Sequence, residues 1–595
     1  MKRLIVFLCF SLICLNLYAI DLDPDKFMTV DKIKPGMKGI GKTVFSGTKI
    51  EEFQIEVLEV AKNVMRPKSD VIWVLCSGGP LAETGVISGM SGSPVYIDGK
   101  LIGAIAYRMG SFAKRPIAGV TPIADMLRII DNADKYESVD EDRLNQGSFP
   151  FSLQKSEYAK GEPLNDGLAS IVPIQMPIAV SGFSHKTIEY ISPMLKDLGM
   201  VPVQGGGVSA ATDTEEPKVE PGAVMVVEFV KGDASASGSG TITYVDGNKV
   251  LAFGHSIYEI GKTEFPASIG KISLLVPSML SSSKIGSPVR TIGTLTQDNA
   301  FGVMSIMGKQ PDFIPMKVRF KSAATGVTEE YNFEIAKHRL FAPTYIFSVA
   351  FDVIATAGKS VGDYTIKTHS EIIMKNYPKI VKDNVYSGLS PDIAAEDFAS
   401  PISMLMANKF EEVDIQSVLF EAELDDSRTN ASIDDAQISK SKVKPGDSLN
   451  VRVSITPYMQ DTIVKQLEVV IPTDAPEGRS LLRISDATAS QSWEAARAPM
   501  KSRIANIPQL IQRIQDEESN NDIIIELFSP KAGVTIRGDE LPALPLTAFS
   551  VINSSKYAGV NTPTLGTTFL KQKIHTDYVI SGSLTLPLLI DRDAQ

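Results

Sequence analysis

The chain has 595 residues, of which 43 % are hydrophobic and 22 % charged, with 44 glycines and 35 prolines. That length exceeds a single core and predicts two to four domains, and the glycine and proline content suits a loop-rich β protein. The net charge of −11, without a Lys/Arg cluster past the N-terminus, argues against a nucleic-acid partner.

MKR, then LIVFLCFSLICL, then NLYA reads as a charged region, an apolar core and a small residue at Ala19. We expect residues 1–20 to be a secretory signal peptide, which makes the mature chain periplasmic or secreted with a net charge of −13. The apolar run is shorter than the roughly 20 residues a membrane span requires, and no later run is long enough. Cys9 and Cys14 leave with the signal, so Cys76 stands alone and no internal disulfide is expected.

Residues 21–150 are expected to form one β-rich block, the half that bears Ser91, in which residues 30–130 alternate short apolar strands with turn signals. FQIEVLEVA, VIWVLC and PVYI–DG–KLIGAIAY have the period of antiparallel β-structure, and Asp98-Gly99 fits a type I′ turn. A short helix is predicted at TPIADMLRII, followed by a polar, acidic loop over 131–165. Residues 151–222 read as an insert holding a helix over 184–199, capped by Ser184 and ended by Gly199, and then a linker, GGGVSAATDTEEPKVEPG.

A second β-rich block spans 223–389. Its hairpin YVDGNKVLAFGH echoes YIDGKLIGAIAY, as two similar barrels would. Residues 390–500 begin with a helix start at Ser390-Pro391 and continue as strands of a β-sandwich-like domain. Residues 501–595 read as an α+β region with one helix at PQLIQRIQDEE.

The chemistry concentrates at Gly89-Met90-Ser91-Gly92-Ser93-Pro94. A serine hydroxyl needs a base to take its proton and donors for the oxyanion that forms. Glycine two residues before Ser91 lets the N–H groups of Gly89 and Ser91 aim at one small space. Of five histidines (His185, His255, His338, His369 and His575), His255 ends the strand VLAF directly after Gly254, where a barrel rim can present an imidazole. No metal or nucleotide motif is present, and no cofactor is implied.

GMKGIGKTVFSGTKIEEFQIEVLEV, LAETGVISGMSGSPVYIDGKLIGAIAY, GTITYVDGNKVLAFGHSI and IGTLTQDNAFG resemble segments of the SpoIVB peptidase family, trypsin-like serine peptidases of family fifty-five. The resemblance covers much of 36–130 and 236–305. It implies a mainly β fold: a trypsin-like double β-barrel assembled from two half-segments, followed by β-sandwich-like domains with a few helices. It also implies Ser91 as nucleophile and His255 as general base, acting on a protein or peptide.

Two departures stand beside it. The serine segment precedes the histidine segment, the reverse of the family's order, which a triad defined by geometry tolerates. The family's acid lies about fifteen residues before the nucleophile, where this chain reads Cys76-Ser77-Gly78-Gly79-Pro80. Glu83, Glu259, Glu264 and Asp298 are the candidates for the orienting acid. Met90 occupies a position where many secreted relatives of trypsin place an acid that pairs with a new N-terminus, and methionine cannot do so. The alternative reading is a catalytically silent peptidase-like fold that serves as a binding or scaffold protein.

Overall fold

A computed structural model of the chain describes residues 22–110, 114–131, 171–197, 200–205, 216–279, 281–357, 363–388, 391–531, 533–536, 539–541, 544–552 and 561–594. The expected signal peptide, the acidic loop and most of the 205–222 linker lie outside these residues. The protein is mainly β, with 50 % of it in strands and 18 % in helices. It divides into two compact units, one of residues 1–313 with 334–342, the other of 314–333 with 343–595.

In the first unit six antiparallel strands close on themselves: β1 (Lys38–Val44), β2 (Ile50–Ala61), β3 (Val71–Ser77), β4 (Pro94–Ile97), β5 (Lys100–Met109) and β6 (Ile117–Pro122). They pair in the order β4-β1-β2-β3-β6-β5, and β5 returns to β4. Alternation builds this barrel. Phe53, Ile55 and Val57 of β2 point into the core while Gln54 and Glu56 face solvent. Asp98 and Gly99 both have positive φ, 50° and 76°, which gives the β4–β5 hairpin the tight turn expected of it.

A second closed barrel follows from β7 (Val224–Gly232), β8 (Ser235–Asp246), β9 (Lys249–Ala252), β10 (Gly261–Val276), β11 (Ser283–Asn299) and β12 (Gly302–Met307). Its order is β7-β10-β11-β12-β9-β8, with β8 returning to β7. The β8–β9 hairpin turns at Asp246↔Lys249, the counterpart of Ile97↔Lys100 in the first barrel. Between the barrels sits the predicted helix, Ile123–Asp131. Its Ile123, Met126 and Ile129 share one apolar cluster with Leu101 and Ala104 of β5, Leu251 of β9 and Met304 of β12.

The helix expected over 184–199 spans His185–Asp197, and Ser184 Oγ accepts from Thr187 N at 3.2 Å as its cap.

In the second unit, strands Ile380–Ser387, Thr365–Met374, Ile415–Asp425 and Phe313–Ser322 lie side by side, the last pair parallel. Two further sheets form a sandwich. One holds Asn430–Ile438, Ser448–Pro457, Ile463–Val470 and Val579–Ser581, the other Gly478–Ser485, Asp522–Ser529, Thr567–His575 and Ser583–Ile590. A single core joins them, with Val451, Val453 and Ile455 against Leu482, Ile525 and Leu588.

The sequence predicts a second β-rich block, the histidine-bearing half, to 389 and a sandwich over 390–500; the two units part around 313–343, and strands of the sandwich run to Ile590. In both places alternation identifies a strand but does not say which sheet it joins.

Candidate active site

The serine loop is held by the second barrel. Within it, Ser88 N donates to Ser282 O, Met90 N to Ile87 O, Gly92 N to Ile105 O and Ser93 N to Met90 O, all at 2.7–3.0 Å. Thr241 of β8 closes it from the other side, donating its N–H to Ser91 O at 2.8 Å, while Thr243 Oγ1 donates to Gly92 O at 2.7 Å. Among the described residues the N–H groups of Gly89 and Ser91 have no acceptor. They are the two donors proposed from sequence for the oxyanion.

Gly92 is required by space as well as by φ (+91°). A Cβ there would stand 2.0 Å from Thr241 O and 2.4 Å from Phe253 N. The backbone that carries Ser91 therefore lies directly on the backbone that leads into His255. On the far side of that turn, Gly254 packs against Ala104 and Ala106 of β5, and its carbonyl accepts from Thr121 Oγ1 at 2.6 Å. The segments that bear Ser91 and His255, more than 160 residues apart, thus meet between the barrels.

Ser91 is fully buried and His255 only 5 % exposed. Among the described residues the imidazole is hydrogen-bonded between Nδ1 and Ser256 O at 2.7 Å, and the backbone of Ile174 also favours its protonated form. A carbonyl only accepts, so Nδ1 carries the proton and Nε2 presents a lone pair. Ser91 Oγ and His255 Nε2 are both buried without a hydrogen-bond partner, and so are not bonded to each other. Burial away from water drives the imidazole pKa down to about 4, which keeps it neutral.

None of the four candidate carboxylates holds the ring. Glu83 lies on the helical turn Leu81–Thr84, Glu259 is paired with Arg66, and Glu264 is paired with Lys309. Asp298 is buried and accepts at 2.7 Å from Ile257 N and Tyr258 N, so it fastens the loop that follows His255. Burial pushes its carboxyl up to about 6 against the lowering effect of those N–H groups. The orienting contact on the imidazole comes from a backbone carbonyl, which composition and spacing give no means of finding.

Met90 packs in the core of the first barrel, which accounts for an apolar residue at that position.

Two neighbours were not singled out from sequence. Lys284, on β11, is fully buried, donating Nζ to Thr43 Oγ1 at 2.8 Å and to Val44 O at 3.0 Å. Its backbone N–H donates to Ser88 O at 2.9 Å, and its Cε lies 3.6 Å from where a Cβ on Gly89 would be. Desolvation lowers its ammonium to about 7. Ser281 touches both Ser88 and Arg108. Lysine and serine within SSSKIGS carry no sequence signal that separates them from an ordinary exposed strand end.

Residues 22–125 match the family model described as SpoIVB peptidase S55. The matched segment contains Ser91 and ends before His255. No curated protein and no solved structure matches the chain.

Proposed function

We propose that the chain, whose residues 22–125 match the SpoIVB peptidase family model, is an exported serine endopeptidase acting on a protein or peptide substrate outside the cytoplasm. The observation that carries this reading is the close approach of the backbone of a glycine-framed serine to the backbone that leads into a buried, neutral imidazole, at the junction of two closed barrels. In this reading Ser91 Oγ attacks the scissile carbonyl and His255 Nε2 takes its proton. The N–H groups of Gly89 and Ser91 receive the oxyanion. The imidazolium returns the proton to the departing amine, and water then hydrolyses the acyl ester by the same route.

Ser256 O holds the ring through Nδ1–H, the orienting part of the role an acid takes in a full triad. A carbonyl offers the imidazolium less stabilisation than a carboxylate, so turnover is expected to be slow. Loss of the acid from a full triad costs about 10⁴ in kcat. Export rests on the charge and hydropathy pattern of residues 1–20.

A second reading is favoured by two specific observations, the buried Ser91 and the absence of a carboxylate on His255 among the described residues. It is a silent peptidase-like protein that binds a partner. A fluorophosphonate probe separates the two readings. Labelling of the mature protein that is lost in Ser91→Ala and strongly slowed in His255→Ala is the expected result. Labelling that persists in Ser91→Ala, or none in the parent protein, would overturn the peptidase reading.

A further inference from the structure

Arg108 stands on β5, three residues beyond Ile105, whose carbonyl accepts from Gly92 N beside the nucleophile. At about 3.3 Å per strand residue, its backbone lies roughly 10 Å from that hydrogen bond, the span of three residues of an extended peptide. Its Nη1 donates to Ser281 Oγ at 3.1 Å, and the same Ser281 Oγ lies 3.2 Å from Ser88 Oγ at the head of the serine loop. The guanidinium is thus tied to the segment that delivers Ser91.

Among the described residues no carboxylate pairs with Arg108, and its Nε is buried without an acceptor. A half-buried guanidinium whose partner among the described residues is a neutral hydroxyl is costly to hold, and an incoming carboxylate removes that cost through two parallel N–H···O bonds.

We propose that Arg108 is a specificity residue that recognises a carboxylate on the substrate, within three residues of the scissile bond. The inference rests on the peptidase reading and names its substrate class. The carboxylate comes either from an internal Asp or Glu side chain or from the C-terminus of the peptide. The two sources share this chemistry and differ in what abolishes it.

The test is digestion of a positional-scanning hexapeptide library by the mature protein. Each position carries Glu, Gln or Lys in turn, with C-termini free or amidated, and products are read by mass spectrometry. Glu is expected over Gln at one position by about tenfold to hundredfold, the range of a charge-assisted hydrogen bond. That preference should fall to about twofold or less in Arg108→Gln. In Arg108→Glu it should pass to Lys, a gain that misfolding cannot mimic. If preference instead follows a free C-terminus and vanishes on amidation, the carboxylate is terminal.

Cleavage that depends on Ser91 but shows no carboxylate preference, or a preference that survives Arg108→Gln, overturns the inference and leaves the peptidase reading intact. If no cleavage depends on Ser91, the peptidase reading fails by itself. Fluorescence anisotropy of the same peptides on Ser91→Ala then decides Arg108 separately. Tighter binding of Glu peptides, lost in Arg108→Gln, upholds carboxylate recognition, and equal binding of Glu and Gln peptides refutes it.

Discussion

In the proposed peptidase chemistry, His255 is a base kept neutral by burial. Its conjugate acid is disfavoured because water is excluded, so the ring stays neutral far below the ordinary pKa of 6.5. The labelling rate with fluorophosphonate should therefore hold through pH 6 and fall on the acid side with a midpoint near 4. A midpoint near 6.5 would mean that the ring is solvated in the working protein. Stability follows the same sign. The folded pKa lies below that of the unfolded chain, so the unfolded chain takes up the proton first. The contribution of His255 is whole above about 6.5 and is lost as pH falls towards 4. Asp298 runs the other way. Its raised pKa makes the neutral form the better tenant, so its contribution is whole below 3.8 and is lost as pH rises through about 6. Urea titrations of His255→Gln and Asp298→Asn between pH 4 and 7.5 should therefore show opposite changes in pH slope from the parent protein.

The serine loop and the β4–β5 hairpin each depend on a glycine at positive φ, and they differ in what surrounds it. Around Gly99 nothing lies within 4 Å of an added Cβ, so Gly99→Ala meets only backbone strain, about 1 kcal/mol. At Gly92 the added atom would collide with backbone of β8 and with Phe253, neither of which can swing aside as a side-chain tip does. Gly92→Ala should cost about 3 kcal/mol or more and abolish probe labelling, whereas Gly99→Ala should keep it. Thermal unfolding of both variants, followed by labelling, checks the contrast. A Gly92→Ala protein as stable as Gly99→Ala would mean that the loop does not rest on the second barrel as described.

At the scale of the molecule, the two units have separate cores. The first barrel is filled by Phe53, Ile55, Val95, Ile102 and Val120, and the sandwich by Val451, Val453, Leu482, Ile525 and Leu588. Each is large enough to melt cooperatively, so calorimetry of the whole mature chain should resolve at least two transitions. Ile102→Ala and Val451→Ala each remove buried methyl groups and should cost about 2–4 kcal/mol. Each is expected to lower one transition and leave the other in place. One transition that moves with both variants would show the units to be a single cooperative body.

What the sequence determined by itself was local. Alternation marked β2, short apolar runs bounded by turn signals marked β3 and β5, the Asp98-Gly99 pair gave the hairpin turn, Ser184 marked a helix start, and GMSGSP pointed to a loop shaped for a nucleophile. These features are legible because their causes, side-chain period, φ preference and capping, act within a few residues. Only the tertiary structure decided the rest. It brought Gly92 against Phe253 across some 160 residues, gave the hold on the imidazole to the Ser256 carbonyl, and set Asp298 to fasten a loop. It also buried Lys284 and, among the described residues, left Arg108 without a carboxylate partner. A residue's charge environment is the sum of everything packed around it, and a strand's partner is chosen by the closure of a whole sheet, so neither is written in the neighbouring letters.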